Sequence, residues 1–163
     1  MKYTRFEDLP VWKDAIELAV RTFSLTAKQC FRGHAGTRNQ LENAVVSISN
    51  NIAEGFERGT TQELLTFIYI SRGSAGETRS MYCLIEQLPE FEDFRSEISD
   101  LKSRAESISR QLRAWADSLQ NSQIRAARYL ADQSRRVDKQ RQEREEFLTE
   151  LEQFATESHE SQI

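Results

Sequence analysis

Nine apolar residues near the middle of the chain limit its fold more than any other feature. Phe91, Phe94, Ile98, Leu101, Ala105, Ile108, Leu112, Trp115 and Leu119 follow one another at steps that alternate strictly between three and four. A mean period of 3.5 residues is the seam of left-handed, coiled-coil-like helix packing. One helix cannot cover such a seam alone, so further helices must close over it. The composition allows this: of 163 residues, 38% are hydrophobic and 29% charged, with only two prolines and six glycines. Such a chain suits one all-helical domain large enough for a real core.

Three more helices are legible upstream. The first is predicted to start near Asp8 or Leu9, with Asp8 as N-cap and Pro10 in the first turn, where a missing N–H costs nothing. Its expected buried stripe is Leu9, Trp12, Ile16, Val20 and Phe23, and Gly33 and Gly36 break it. Thr37-Arg38-Asn39-Gln40 has capping-box form, which starts the second helix at Arg38 and carries it to about Glu57. There Gly55 and Gly59 are placed to stop it. Its apolar stripe is Leu41, Ala44, Val45, Ile48, Ile52 and Phe56. Thr60-Thr61-Gln62-Glu63 is a second capping box. It opens a third helix with the stripe Leu64, Phe67, Ile68, Ser71, Ser74, Ala75, Thr78, Met81, Tyr82, Ile85 and Leu88, which Pro89 ends. Gly73 and Gly76 inside it cost about 1 kcal/mol each against Ala, so a helix crossing is expected there. Short loops between four such helices specify an all-α, antiparallel up-down-up-down four-helix bundle.

The second helix carries an unusual polar stripe. Gln40, Asn43, Ser47, Asn50 and Glu54 share one face, with Asn51 beside it and Arg58 near its end. Asn and Ser are poor mid-helix residues, and a solvated face normally carries Lys and Glu instead. The plain reading is an amide-rich surface; the sharper one is a polar seam packed on a neighbouring helix or subunit.

Three segments together resemble a known family. They are Phe6-Glu7-Asp8-Leu9-Pro10-Val11-Trp12, then Ser47-Ile48 with Asn51-Ile52-Ala53-Glu54-Gly55, then Gly73-Ser74-Ala75-Gly76-Glu77. They are similar to the motifs of the small four-helix-bundle proteins that include the 23S rRNA intervening-sequence proteins. The accessory variability determinant of diversity-generating retroelements belongs to the same group. The resemblance spans roughly residues 1–119. It implies a homo-oligomer, a pentameric ring, that contacts RNA or DNA and a reverse transcriptase. The alternative is a protein–protein interaction scaffold without nucleic-acid binding.

Charge does not favour a polyanion partner globally, since the chain has a net charge of −4. Local positive charge gathers at Lys28, Arg32 and Arg38, and again at Arg125, Arg128, Arg135, Arg136 and Arg141. These are the candidate nucleic-acid contacts. Residues 120–163 form a separate charged extension, expected to be helical, basic over 125–144 and acidic over 145–160. In its acidic part Phe147, Leu148, Leu151 and Phe154 share a helical face suited to docking on a partner.

Catalytic chemistry has no visible basis. His34 and His159 stand apart from any ligand at metal-binding spacing, and no nucleophile has a base in a recognisable motif. Cys30 and Cys83 lack metal or redox spacing. No catalytic residue, metal, cofactor or small-molecule substrate is expected. The N-terminal segment lacks the apolar run of a signal peptide and no stretch is long enough to span a bilayer, so a cytoplasmic protein is expected.

Overall fold

The computed structural model describes residues 3–122 and 141. By its contacts the chain divides into Met1–Leu119 and Gln120–Ile163. Four long helices run through the described residues: α1 Pro10–Thr26, α2 Ala35–Glu57, α3 Thr61–Glu86 and α4 at 95–122. Among those residues there is no strand. The expected all-α four-helix bundle is the fold.

Contacts between helices fix their order. Thr26 of α1 meets Glu42 of α2, and Ser71 and Ser74 of α3 meet Ile48 and Ser47 of α2. Glu17 and Arg21 of α1 pair with Arg104 and Asp100 of α4. Lys102 of α4 pairs with Glu86 of α3. In the α2–α3 and α1–α4 pairings, numbers rise on one helix as they fall on the other, so those neighbours are antiparallel. α1 and α3 sit on opposite corners, and α4 closes the square between them. The seam of α4 lies inside: Ile98, Leu101, Ala105, Ile108 and Leu112 are buried, and Trp115 and Leu119 pack at its edge. The stripes of α2 and α3 are likewise core apart from Phe56, Phe67 and Leu88, which are half-buried, and Leu65 joins them.

The start of α1 differs from expectation. Phe6–Asp8 form a 3-10 turn closed by the Leu9 N–H on the Phe6 carbonyl at 3.0 Å. Leu9, not Asp8, is the N-cap, with extended backbone. Pro10 is the reason, because the residue before a proline is pushed out of the helical region. α2 begins at Ala35, three residues before Arg38, and the Thr37 capping box is not used. The chain turns at Gly33, at φ 86, and the helix propagates from just beyond it through Gly36. The Thr60 box does form: the Glu63 N–H donates to Thr60 Oγ1 at 3.2 Å, and that hydroxyl donates to the Glu63 carboxylate at 2.8 Å. At the far end Leu88 is extended before Pro89, and a 3-10 turn over Pro89–Phe94 precedes α4.

Two glycine expectations are reversed. Gly55 does not stop α2; it is buried within it, and a Cβ there would lie 2.6 Å from the Phe67 Cβ. It is a point of close approach between α2 and α3. Gly73 and Gly76 are not a crossing point, because a Cβ at either meets nothing within 4 Å. The crossing is made instead by their small neighbours. Ser71 Oγ donates to the Ile48 carbonyl at 2.8 Å, and Ser47 and Ser74 share a hydrogen bond at 3.0 Å.

Candidate functional site: an uncovered face on the first two helices

The largest departure from expectation concerns α1. Ile16, Val20 and Phe23, read above as core, are 36%, 61% and 45% exposed. The buried face is Val11, Ala15, Leu18, Thr22 and Leu25. At 100° per residue the buried face lies about 140°, more than a third of a revolution, from the expected one. Thr22 and Thr26 explain how. Thr22 Oγ1 donates to the Leu18 carbonyl at 2.7 Å and lies 2.5 Å from the Tyr82 hydroxyl across the core. Thr26 Oγ1 bonds the Glu42 carboxylate at 2.5 Å. Polar side chains paired in this way can be buried at little cost. Burial pushes the Tyr82 phenol up to about 12, against the smaller opposing effects of the Thr22 hydrogen bond and the Arg21 charge.

The apolar residues left outside form a continuous face with the amide stripe of α2. Ile16, Ala19, Val20, Phe23 and Ala27 line one shallow hollow. Phe23 also lines the next, with Glu42, Asn43, Val46, Ser47 and Asn50. The sequence-predicted seam is thus divided. Gln40, Asn43, Asn50 and Glu54 are exposed, while Ser47 and Asn51 turn inward towards α3. Asn51 Nδ2 donates to the Ser47 carbonyl at 2.6 Å and to its hydroxyl at 2.9 Å, which completes a chain Asn51–Ser47–Ser74. Glu54 pairs with Arg58 along the helix surface, and the Arg58 guanidinium stacks 5.1 Å from the Phe67 ring.

The basic candidates are in a different state. Lys28 is paired with Glu97 and lies over the Phe94 ring, so its charge is already answered. Arg32 and Arg38 are exposed, form no ion pair among the described residues, and line a polar hollow with Gln29 and Phe31. Arg141 is exposed. Arg125, Arg128, Arg135, Arg136, Phe147, Leu148, Leu151 and Phe154 lie outside the described residues.

Among the described residues no group of three or more His, Cys, Asp or Glu is placed to hold a metal ion. No helix there is long and apolar enough to cross a membrane. Sequence reasoning misassigned Ile16, Val20 and Phe23 and overlooked Val46. A signal was present: Val11, Ala15, Leu18, Thr22 and Leu25 alternate steps of four and three without a break. A threonine in the middle hides that stripe from a reading that counts only large apolar residues.

Fold and face define an antiparallel four-helix-bundle protein whose first helix shows apolar side chains to the outside. The model of the 23S rRNA-intervening sequence protein family matches residues 7–114. The chain belongs to that family. No curated protein matches it.

Proposed function

We propose that this chain is a non-enzymatic, cytoplasmic accessory protein that assembles into a homo-oligomeric ring, a pentamer, through the α1–α2 face. The observation that carries this is the exposure of Ile16, Val20 and Phe23 beside an amide-rich stripe. A contiguous apolar patch of that kind marks an association surface. Its polar border of Asn43, Asn50 and Gln40 offers hydrogen bonds without charge to desolvate. Static light scattering tests it: the ring has five times the 18.9 kDa chain mass, and a single-chain mass at micromolar concentration refutes it.

The ring supports a nucleic-acid transaction, with RNA or DNA and a reverse transcriptase as partners. Arg32 and Arg38 are the supporting residues, since both are exposed and form no ion pair among the described residues. Repetition around a ring adds weak single contacts together. Binding to structured RNA falls steeply as salt rises from about 50 mM, because phosphate contacts release counterions. Reversing the charge of Arg32 and Arg38 weakens it. A second reading, an interaction scaffold without nucleic acid, is favoured by the ion pairs that occupy Lys28, Lys102, Arg21 and Arg104. An intact oligomer that binds no RNA at about 50 mM salt selects the scaffold.

A further inference from the structure

The hollow between the end of α1 and the start of α2 holds three cations in two different states. Lys28, Gln29, Arg32 and Arg38 line it, and its volume is about 330 Å³. None of its described lining residues is acidic. The Thr26 hydroxyl on its wall is bonded to Glu42, whose side chain lines the neighbouring hollow instead. Arg32 and Arg38 form no ion pair among the described residues. Lys28 does: its ammonium pairs with Glu97 of α4 and lies 4.6 Å from the centroid of the Phe94 ring. One hollow thus carries two guanidiniums that no described carboxylate answers and one ammonium held by a carboxylate from another helix.

The backbone at Lys28 is pinned while its side chain is not. The Lys28 N–H donates to the Leu25 carbonyl at 3.1 Å, and the Lys28 carbonyl accepts from the Phe31 N–H at 3.1 Å. Phe31 is buried and meets the Phe91 ring edge-on at 4.8 Å between centroids. The loop is therefore tied to the core, and any change at Lys28 is a rotation of its flexible four-carbon stem. The ion pair that holds the ammonium stands at the water's edge, with side chains 34% and 30% exposed. Solvent screens such a pair, so it holds Lys28 only weakly. Arginine forks grip phosphate oxygens in pairs, and a lysine adds a mobile point charge. A phosphate group seated between Arg32 and Arg38 competes with Glu97 for the same ammonium.

We propose that Glu97 restrains the nucleic-acid site of this chain: it holds Lys28 on the α4 side in the free protein and yields it to a backbone phosphate gripped by Arg32 and Arg38. This rests on the nucleic-acid reading above and names the contact that sets its affinity. The test is a double-mutant cycle on the full chain. The natural sequence, Glu97→Gln, Lys28→Gln and the pair together are titrated against a labelled RNA hairpin by fluorescence anisotropy, at about 50 mM salt and upwards. Glu97→Gln keeps the shape of the side chain and removes its charge. It should tighten binding about fivefold, the size of a half-exposed ion pair. The slope of log affinity against log salt should steepen by about one, because the freed Lys28 makes one more phosphate contact. Losing Lys28 should then cost about fivefold in the Glu97→Gln background and less than about twofold in the natural one. Equal costs in the two backgrounds would show that Glu97 acts only through its charge and overturn the proposal. Equal affinities of the natural sequence and Glu97→Gln, with both binding RNA, overturn it while the nucleic-acid reading stands. No binding by either, with helical circular dichroism retained, overturns both.

Discussion

α4 and α1 carry apolar stripes of similar quality, and the fold uses them in opposite ways. In α4 Ile98, Leu101, Ala105, Ile108 and Leu112 are all buried. In α1 the residues Ile16, Val20 and Phe23 are outside, and a stripe centred on Thr22, with Thr26 buried beside it, goes in their place. The difference is competition. α4 has one apolar face, so its orientation is forced. α1 has two, and the one with smaller side chains wins because Thr22 finds Tyr82 and Thr26 finds Glu42. An apolar stripe therefore fixes that a helix packs on something, while the hydroxyl partners decide which side faces its own chain.

Truncating an apolar side chain on each of the two helices separates them most sharply. Leu101→Ala should cost about 2–5 kcal/mol in urea unfolding, as a buried leucine leaves a cavity. Val20→Ser should leave the helical circular dichroism unchanged and act on the oligomer instead. A loss of helicity in Val20→Ser would place that side chain in the core and erase the contrast.

The pairing that decides the orientation of α1 should show itself at high pH. Unfolded, the Tyr82 phenol titrates near its ordinary value of 10; folded, it titrates at about 12. The folded state thus holds its proton more tightly, and its stabilisation is complete below pH 10. It is lost as pH rises from about 10 to 12, by up to about 2–3 kcal/mol at one pKa unit per 1.36 kcal/mol. Tyr82→Phe should flatten that part of the stability profile, and an unchanged profile would detach Tyr82 from the effect.

Glycines give a third, smaller contrast. Gly55→Ala should cost about 1–3 kcal/mol, since its methyl would overlap the Phe67 Cβ and overpacked cores pay that much. Gly73→Ala should instead raise the stability of the protomer by up to about 1 kcal/mol. Equal effects at the two positions would remove the distinction between an inner and an outer glycine.

Much of this fold is legible in the chain, and the misses have physical causes. The seam of α4, the stripes of α2 and α3 and the Thr60 cap follow from spacing alone. Each of those elements has a single solution that satisfies apolar burial and capping together. Gly55 and the Gly73–Gly76 pair look alike in sequence, because a glycine within a helix signals close approach without saying from which side. The start of α2 depends on the left-handed turn at Gly33 rather than on a side-chain cap. For the candidate site, Asn43 and Asn50 are legible as chemically unusual, whereas the spacing of Ile16, Val20 and Phe23 reads as core. Large apolar residues at helical spacing fit an inner face and an intersubunit face equally well, and periodicity does not separate the two.

The molar mass of the full chain by light scattering, compared with that of Val20→Ser/Phe23→Ser, addresses the face on α1 most directly. A ring gives five times 18.9 kDa for the natural sequence and a smaller mass for the double variant, with helicity retained in both. A natural sequence that elutes as a single 18.9 kDa chain at micromolar concentration would contradict the reading of that face as an interface.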